Sequence, residues 1–229
     1  MRRIAIVSFL VLLAGGWALW NGLLKVSPQY NPWAPLDPTA PPNLLTRYKI
    51  FRIAQSRDLC TQALRQTDIE FRPLDDKPGS ECPLANIVYV SKAGVNFNRG
   101  FMASCALAAG WEIFRYNTLQ QAAKRHFDQP VARIEHIGTY SCRNIRRRGR
   151  LSEHGRANAI DITAFILADG TRISVKNDWN TDSQSKKAAF LRDIHQGACQ
   201  AFDVVLGPDY NADHADHFHF DMGGFWVCR

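Results

Sequence analysis

The chain has 229 residues, 46% hydrophobic and 21% charged, which is enough for one globular domain with a short appendage. Its net charge of +7 invites a nucleic-acid reading. Much of that excess sits in one run, Arg143, Arg146, Arg147, Arg148 and Arg150, with no RNA-binding aromatic motif or finger spacing beside it, so nucleic acid is set aside as a partner.

At the N-terminus, Arg2 and Arg3 precede an apolar run from Ile4 to Leu24, broken only by Ser8, small glycines and Asn21. About 20 apolar residues suffice to cross a bilayer, and arginines ahead of the span favour a cytoplasmic N-terminus with an exported body. No small-x-small cleavage site follows. Residues 1–24 are therefore expected as an uncleaved, single-pass signal anchor, with a cleaved signal peptide as the alternative. Residues 25–43 contain Pro28, Pro32, Pro35, Pro38, Pro41 and Pro42, a composition that predicts an extended spacer. The folded domain is expected over 44–229.

Within it, helical spacing of apolar residues predicts a helix over Phe101 to Phe127 and another over Ser183 to Phe202, capped by Ser183 or Ser185. Strands are predicted for Val131 to Tyr140, Ala159 to Leu167, Thr171 to Val175 after an Asp169-Gly170 turn, Val204 to Leu206 and His217 to Met222. Helices first and a mainly antiparallel sheet later define an α+β domain with flanking helices. Trp33, Trp111, Trp179 and Trp226 read as packing or membrane-proximal aromatics, and His136 as a satisfied, partly buried histidine.

Six cysteines, Cys60, Cys82, Cys105, Cys142, Cys199 and Cys228, are scattered without any CxxC pair. Structural zinc needs closely spaced ligand pairs, so disulfides in an oxidising compartment are expected, with buried free thiols as the other reading. Many pairings are open. Cys199–Cys228 is the first expected, tying the second helix to the C-terminal tail. Cys60–Cys82 and Cys105–Cys142 are the expected remainder.

Four of the seven histidines lie in two segments, Ser152 to Asp161 and His214 to His219. Zinc takes imidazole and carboxylate donors at about 2 Å. Strand alternation puts His217, His219 and Asp221 on one face, with Phe218, Phe220 and Met222 on the other. Asp161 stands between Ile160 and Ile162, where an unpaired carboxylate would be costly. If these strands pair with their polar faces together, Asp161 and His219 can chelate one ion while His154 closes over it. Three protein ligands leave a fourth position for water.

The segments resemble the bacterial extensin-like C-terminal family. They are also similar to zinc D-Ala-D-Ala carboxypeptidases, penicillin-insensitive murein endopeptidases and lysostaphin-type enzymes. Gly138-Thr139-Tyr140-Ser141-Cys142-Arg143 resembles a strand ending in Tyr-x-x-Arg. His154 through Asp161 resembles the His-x-x-Gly-x-Ala-x-Asp ligand motif, and His214-x-x-His217-x-His219 the endopeptidases' ending. The resemblance implies a hedgehog/D-Ala-D-Ala peptidase-like fold and zinc on His154, Asp161 and His219. It further implies His217 assisting the reacting water and Arg143 anchoring a substrate carboxylate or carbonyl. Asp216 replaces the general-base Glu of the carboxypeptidase branch, and His214 completes the candidate catalytic group. Ala157 replaces the motif's usual glycine, a mild change if its φ is negative.

Together these readings predict zinc-dependent hydrolysis of peptide bonds in peptidoglycan, by a domain in the periplasm held to the inner membrane. The rival, from another class, is a non-catalytic zinc domain that binds cell-wall or envelope components.

Overall fold

The helix α1 covers Arg2–Trp20. The computed structural model describes residues 2–21, 25–145, 149–182 and 185–229. Gly22 to Leu24, Arg146 to Arg148 and the candidate cap Ser183 lie outside the described residues. Among the described residues, no helix is long and apolar enough to cross a membrane.

The proline-rich segment lies along the domain instead of standing off from it as a spacer. Lys49 Nζ donates to the Pro28 carbonyl at 2.7 Å and Arg52 Nη1 to that of Pro32 at 2.8 Å. Leu36 is buried, and Asn117 Nδ2 reaches the Ala40 carbonyl at 3.2 Å. Prolines leave their carbonyls free to accept, which suits them to such side-chain straps.

The sequence reading leaves the stretch between Leu44 and Phe101 unassigned. It forms α2 (Thr46–Ala54), α3 (Arg57–Leu64), β1 (Ile69–Pro73), β2 (Ile87–Ala93) and the short β3 (Asn96–Phe97). The expected helix over Phe101 to Phe127 begins instead as β4 (Phe101–Ser104), whose alternating burial lets it pair with β2. Ser104 then caps α4 (Cys105–Phe114), its hydroxyl accepting from the Leu107 N–H at 3.0 Å. Every residue of α4 is buried, including Glu112, whose carboxylate Arg115 Nη2 meets at 2.7 Å. A π turn over Arg115–Leu119 separates it from α5 (Gln120–Phe127).

The remaining elements are β5 (Val131–Gly138), β6 (Ala159–Leu167), β7 (Arg172–Ser174), α6 (Val175–Asp178), α7 (Lys186–Ala198), β8 (Val204–Leu206), β9 (Phe218–Asp221) and β10 (Val227–Cys228). Strands β1-β2-β4 make a small antiparallel sheet, and the large sheet runs β10-β8-β9-β6-β5-β3 with β7 also on β6. The centre of the large sheet is antiparallel. Its outermost pairings, β10 with β8 and β3 with β5, are parallel, so the sheet is mixed around an antiparallel centre. Those two edge strands are brief segments added at the rims, with too little sequence for alternation to reveal. Phe114 of α4, Phe202 and Phe220 pack ring on ring, fastening the central helix to the large sheet.

All six cysteines are paired, which removes the free-thiol reading. Cys199–Cys228 forms as expected. The other two differ: Cys60 joins Cys105 and Cys82 joins Cys142. Cys60 on α3 and Cys105 at the start of α4 meet in the core between packed helices. Cys142 leaves β5 toward the loop holding Cys82. Pairing follows that packing, not nearness along the chain.

Candidate metal centre

Strands β6 and β9 pair antiparallel with Asp161 directly opposite His219 and Ala159 opposite Asp221. Alternation sends Phe218 and Phe220 into the core, so His219 is left on the other face with Asp161. His154 arrives from the turn Glu153–Arg156 that precedes β6. That turn is well tied. The Ser152 hydroxyl accepts from the His154 N–H at 3.3 Å, and Asn158 Nδ2 donates to Glu153 Oε2 at 2.7 Å.

Three ligand-type side chains thereby converge and are buried, with their donor atoms within 4.8 Å of one another. His154 Nε2 lies 3.2 Å from His219 Nδ1 and 3.1 Å from Asp161 Oδ2, and His219 Nδ1 lies 2.9 Å from Asp161 Oδ1. A tetrahedral ion with ligands at about 2.0–2.1 Å separates them by about 3.3 Å, close to these edges.

The outward ring atoms decide what the inward ones can do. His154 Nδ1 faces the Thr139 carbonyl at 3.1 Å, which only accepts, so Nδ1 carries the hydrogen. His219 Nε2 likewise donates to Asp221 Oδ2 at 2.9 Å, whose other oxygen takes the Gly223 N–H at 2.8 Å. With both rings neutral, two lone pairs and a carboxylate point at one spot with no donor among them. Only a cation or an added proton satisfies that arrangement, and orienting acceptors of this kind are what metal-ligating histidines use. The donor set fits zinc.

Without a metal, the proton is the occupant. Burial opposes a charged His219, but hydrogen bonds to Asp161 and Asp221 outweigh it and raise its pKa to about 9. Burial also works against ionised Asp161, yet its close contacts with the His154 and His219 rings hold it well below the usual carboxylate range.

His217 precedes β9 and turns its Nε2 toward Asp161 Oδ1 at 3.7 Å, while its Nδ1 is 2.9 Å from Asp216 Oδ1. Asp216 is thus fixed on His217 and makes no contact with the three donors. His214 borders this group, 5.2 Å from the His217 ring and 5.7 Å from that of His219. Burial and the neighbouring charges of His219 and His217 push its pKa down to about 4, so it is neutral at pH 7.

Arg143 is exposed, and nothing joins its guanidinium to the three donors or to an ion-pair partner among the described residues. Its carbonyl accepts from the Ser152 N–H at 3.0 Å, which sets its loop beside the His154 turn. Gly138, opposite Asp161 on β5, has open space where a side chain would stand.

Two expectations need correcting. Ala157 has φ 52°, so the missing glycine is not a mild change; left-handed alanine costs about 1–2 kcal/mol. Its methyl packs with Leu84 and Ile87, which offsets part of that. His136 is fully buried, not partly so. Its Nε2 meets the Arg99 carbonyl at 3.0 Å, but its Nδ1 has no partner among the described residues. It packs against Phe97 and Phe101, away from the donors.

Fold and site together define an α+β, disulfide-linked domain with a buried cluster of metal-ligand type. The profile of the family described as "Extensin-like protein C-terminus" matches residues 58–229, and the chain belongs to that family. No curated protein and no solved structure matches the chain.

Sequence reasoning put Asp221 on the same strand face as His219 but gave it no role at the site, and it passed over the Thr139 carbonyl. A backbone acceptor leaves no sequence signal.

Proposed function

We propose that this chain is a zinc-dependent hydrolase of peptide bonds in the stem or cross-links of peptidoglycan, with the fold of hedgehog/D-Ala-D-Ala peptidase-like enzymes. The observation that carries the reading is the set of inward donors on His154, Asp161 and His219 with His217 Nε2 beside them. Zinc there would polarise a carbonyl and acidify water toward neutrality.

The chain's own residues divide the remaining work. The Thr139 carbonyl and Asp221 hold the two ligand rings in their tautomers. Asp216 fixes His217 Nδ1–H, which leaves Nε2 facing the site to accept or return a proton, a service typically worth about 10²–10⁴-fold in rate. Arg143, uncompensated on the neighbouring loop, would take a substrate carboxylate. His217 is what favours an enzyme over a non-catalytic zinc domain, since a binding module has no need of a proton carrier beside its metal.

The α1 segment serves in this reading as a membrane anchor that holds the domain in the periplasm near its polymer. The excess of basic groups attracts anionic muropeptides at long range. Incubating the zinc-loaded chain with purified peptidoglycan and analysing soluble products by mass spectrometry tests the reading. Peptide-bond cleavage products that disappear on chelation are expected. Intact polymer after prolonged incubation with a fully zinc-loaded chain would overturn it.

A further inference from the structure

Directly after Asp221, the chain runs Met222-Gly223-Gly224-Phe225-Trp226 past the His154 turn. The approach is close. A Cβ on Gly223 would stand 2.9 Å from Asp221 Oδ1 and 3.1 Å from Glu153 Cγ, so a larger residue would push on both side chains. Gly224, with φ 78°, then turns the chain outward. Phe225 and Trp226 emerge 64% and 65% exposed, while Phe218 and Phe220 on the same segment are fully buried.

The opposite bank belongs to the loop that carries Arg143. From it, the Arg150 guanidinium sits 5.6 Å from the Phe225 ring centroid, a cation–π contact. Arg150 has no ion-pair partner among the described residues. An aromatic–arginine wall therefore bridges the two segments that deliver His154 and His219.

We propose that Phe225, Trp226 and Arg150 form a binding subsite for an acidic peptide arm of the substrate, next to the donor cluster. This rests on the peptidase reading for its location, although binding itself needs no turnover. Uncompensated arginine calls for an anion, and planar guanidinium pairs with carboxylate in a bidentate fork. Exposed Trp and Phe with Arg are also the side chains that anchor polypeptide partners. The wall belongs to the segment that follows His219 and to the one that precedes His154, and the two approach each other at Gly223 and Glu153, which argues for a substrate arm over a membrane surface.

The test uses the full chain with zinc present and four probes: a synthetic peptide with two free carboxylates, its fully amidated counterpart, a neutral chitotetraose and anionic phosphatidylglycerol vesicles. Binding is measured calorimetrically for the wild type, Arg150→Gln and the double variant Phe225→Ala/Trp226→Ala, with melting temperature and zinc content as folding controls. The acidic peptide is expected to lose about tenfold in affinity in either variant, and the amidated peptide to bind the wild type about tenfold more weakly.

No acidic-peptide binding by the wild type, or equal binding by folded variants, overturns the subsite. So does loss in the variants confined to the vesicles or the sugar. Hydrolysis assays on the same samples separate the two proposals. Peptide binding lost in the variants, with no cleavage by any form, keeps the subsite and removes the peptidase. Cleavage with unchanged KM in the variants does the reverse.

Discussion

The Cys82–Cys142 disulfide closes a sequence separation of 60 residues, and removing it by Cys82→Ala/Cys142→Ala should have two separable effects. Chain entropy alone puts the loss of stability at about 4 kcal/mol for a loop of this size. At about 2–4 °C per kcal/mol, the melting temperature should fall by roughly 8–16 °C. The second effect is local. Cys142 lies just after Thr139, whose carbonyl holds His154, and after Ser141, whose N–H bonds the His154 carbonyl at 3.1 Å. Cys82 Sγ also lies 3.3 Å from where a Cβ on Gly155 would stand. Releasing this brace loosens His154, so zinc affinity should drop about 10–100-fold, the range for lost orienting contacts.

The Cys199–Cys228 bridge provides the control. Its separation of 29 is about half as long, so the entropy model makes its removal less costly by only about 0.6 kcal/mol. It touches none of the three donors. Urea denaturation should therefore give similar stability losses for the two double variants, while chelator competition separates them. Equal loss of zinc affinity in both variants, or wild-type affinity in the Cys82 variant despite its lost stability, would show that this disulfide does not brace His154.

Three further outcomes follow from the site's geometry. Asp221→Ala removes the acceptor of His219 Nε2–H and should weaken zinc by about 10–100-fold, measured by competition; a change under threefold would deny Asp221 its orienting role. His217→Ala should keep zinc and fold but lose most hydrolysis, about 10²–10⁴-fold, with Asp216→Asn milder because it only positions His217. Wild-type turnover by the first, or a dead but zinc-loaded second, would reject the assignment. Finally, His219 with its pKa raised to about 9 is protonated at pH 7 in the metal-free chain, so zinc must displace that proton. Calorimetry in buffers of different ionisation enthalpy should show about one proton released at pH 7. Release should decline above pH 9, where the ring has already lost its proton, and uptake of a proton at pH 7 would contradict the site.

Local alternation carried far into this fold. Both β6 and β8 have the expected bounds, and period two put Asp161 and His219 on the polar faces of their strands, which pair with these two residues opposite each other. The polar face was readable because the other face, Ile160, Ile162, Phe218 and Phe220, is continuously apolar. Elements whose partners are distant were not readable. The four residues of β4 look like the start of a helix until β2 pairs with them. The Cys60–Cys105 pairing follows how α3 packs on α4, which spacing does not encode. The strap of residues 28–43 needs Lys49 and Arg52 brought alongside its carbonyls. At the site, side-chain donors were legible by type, whereas the Thr139 carbonyl and the left-handed Ala157 are backbone facts that emerge only with the fold.

The central claim is that His154, Asp161 and His219 hold one zinc ion, and elemental analysis of the purified chain and two variants tests it most directly. The wild type should carry about one zinc per chain, while folded His154→Ala and Asp161→Ala should each lose stoichiometric metal. Full zinc retained in both variants, or none taken up by the folded wild type, would contradict it.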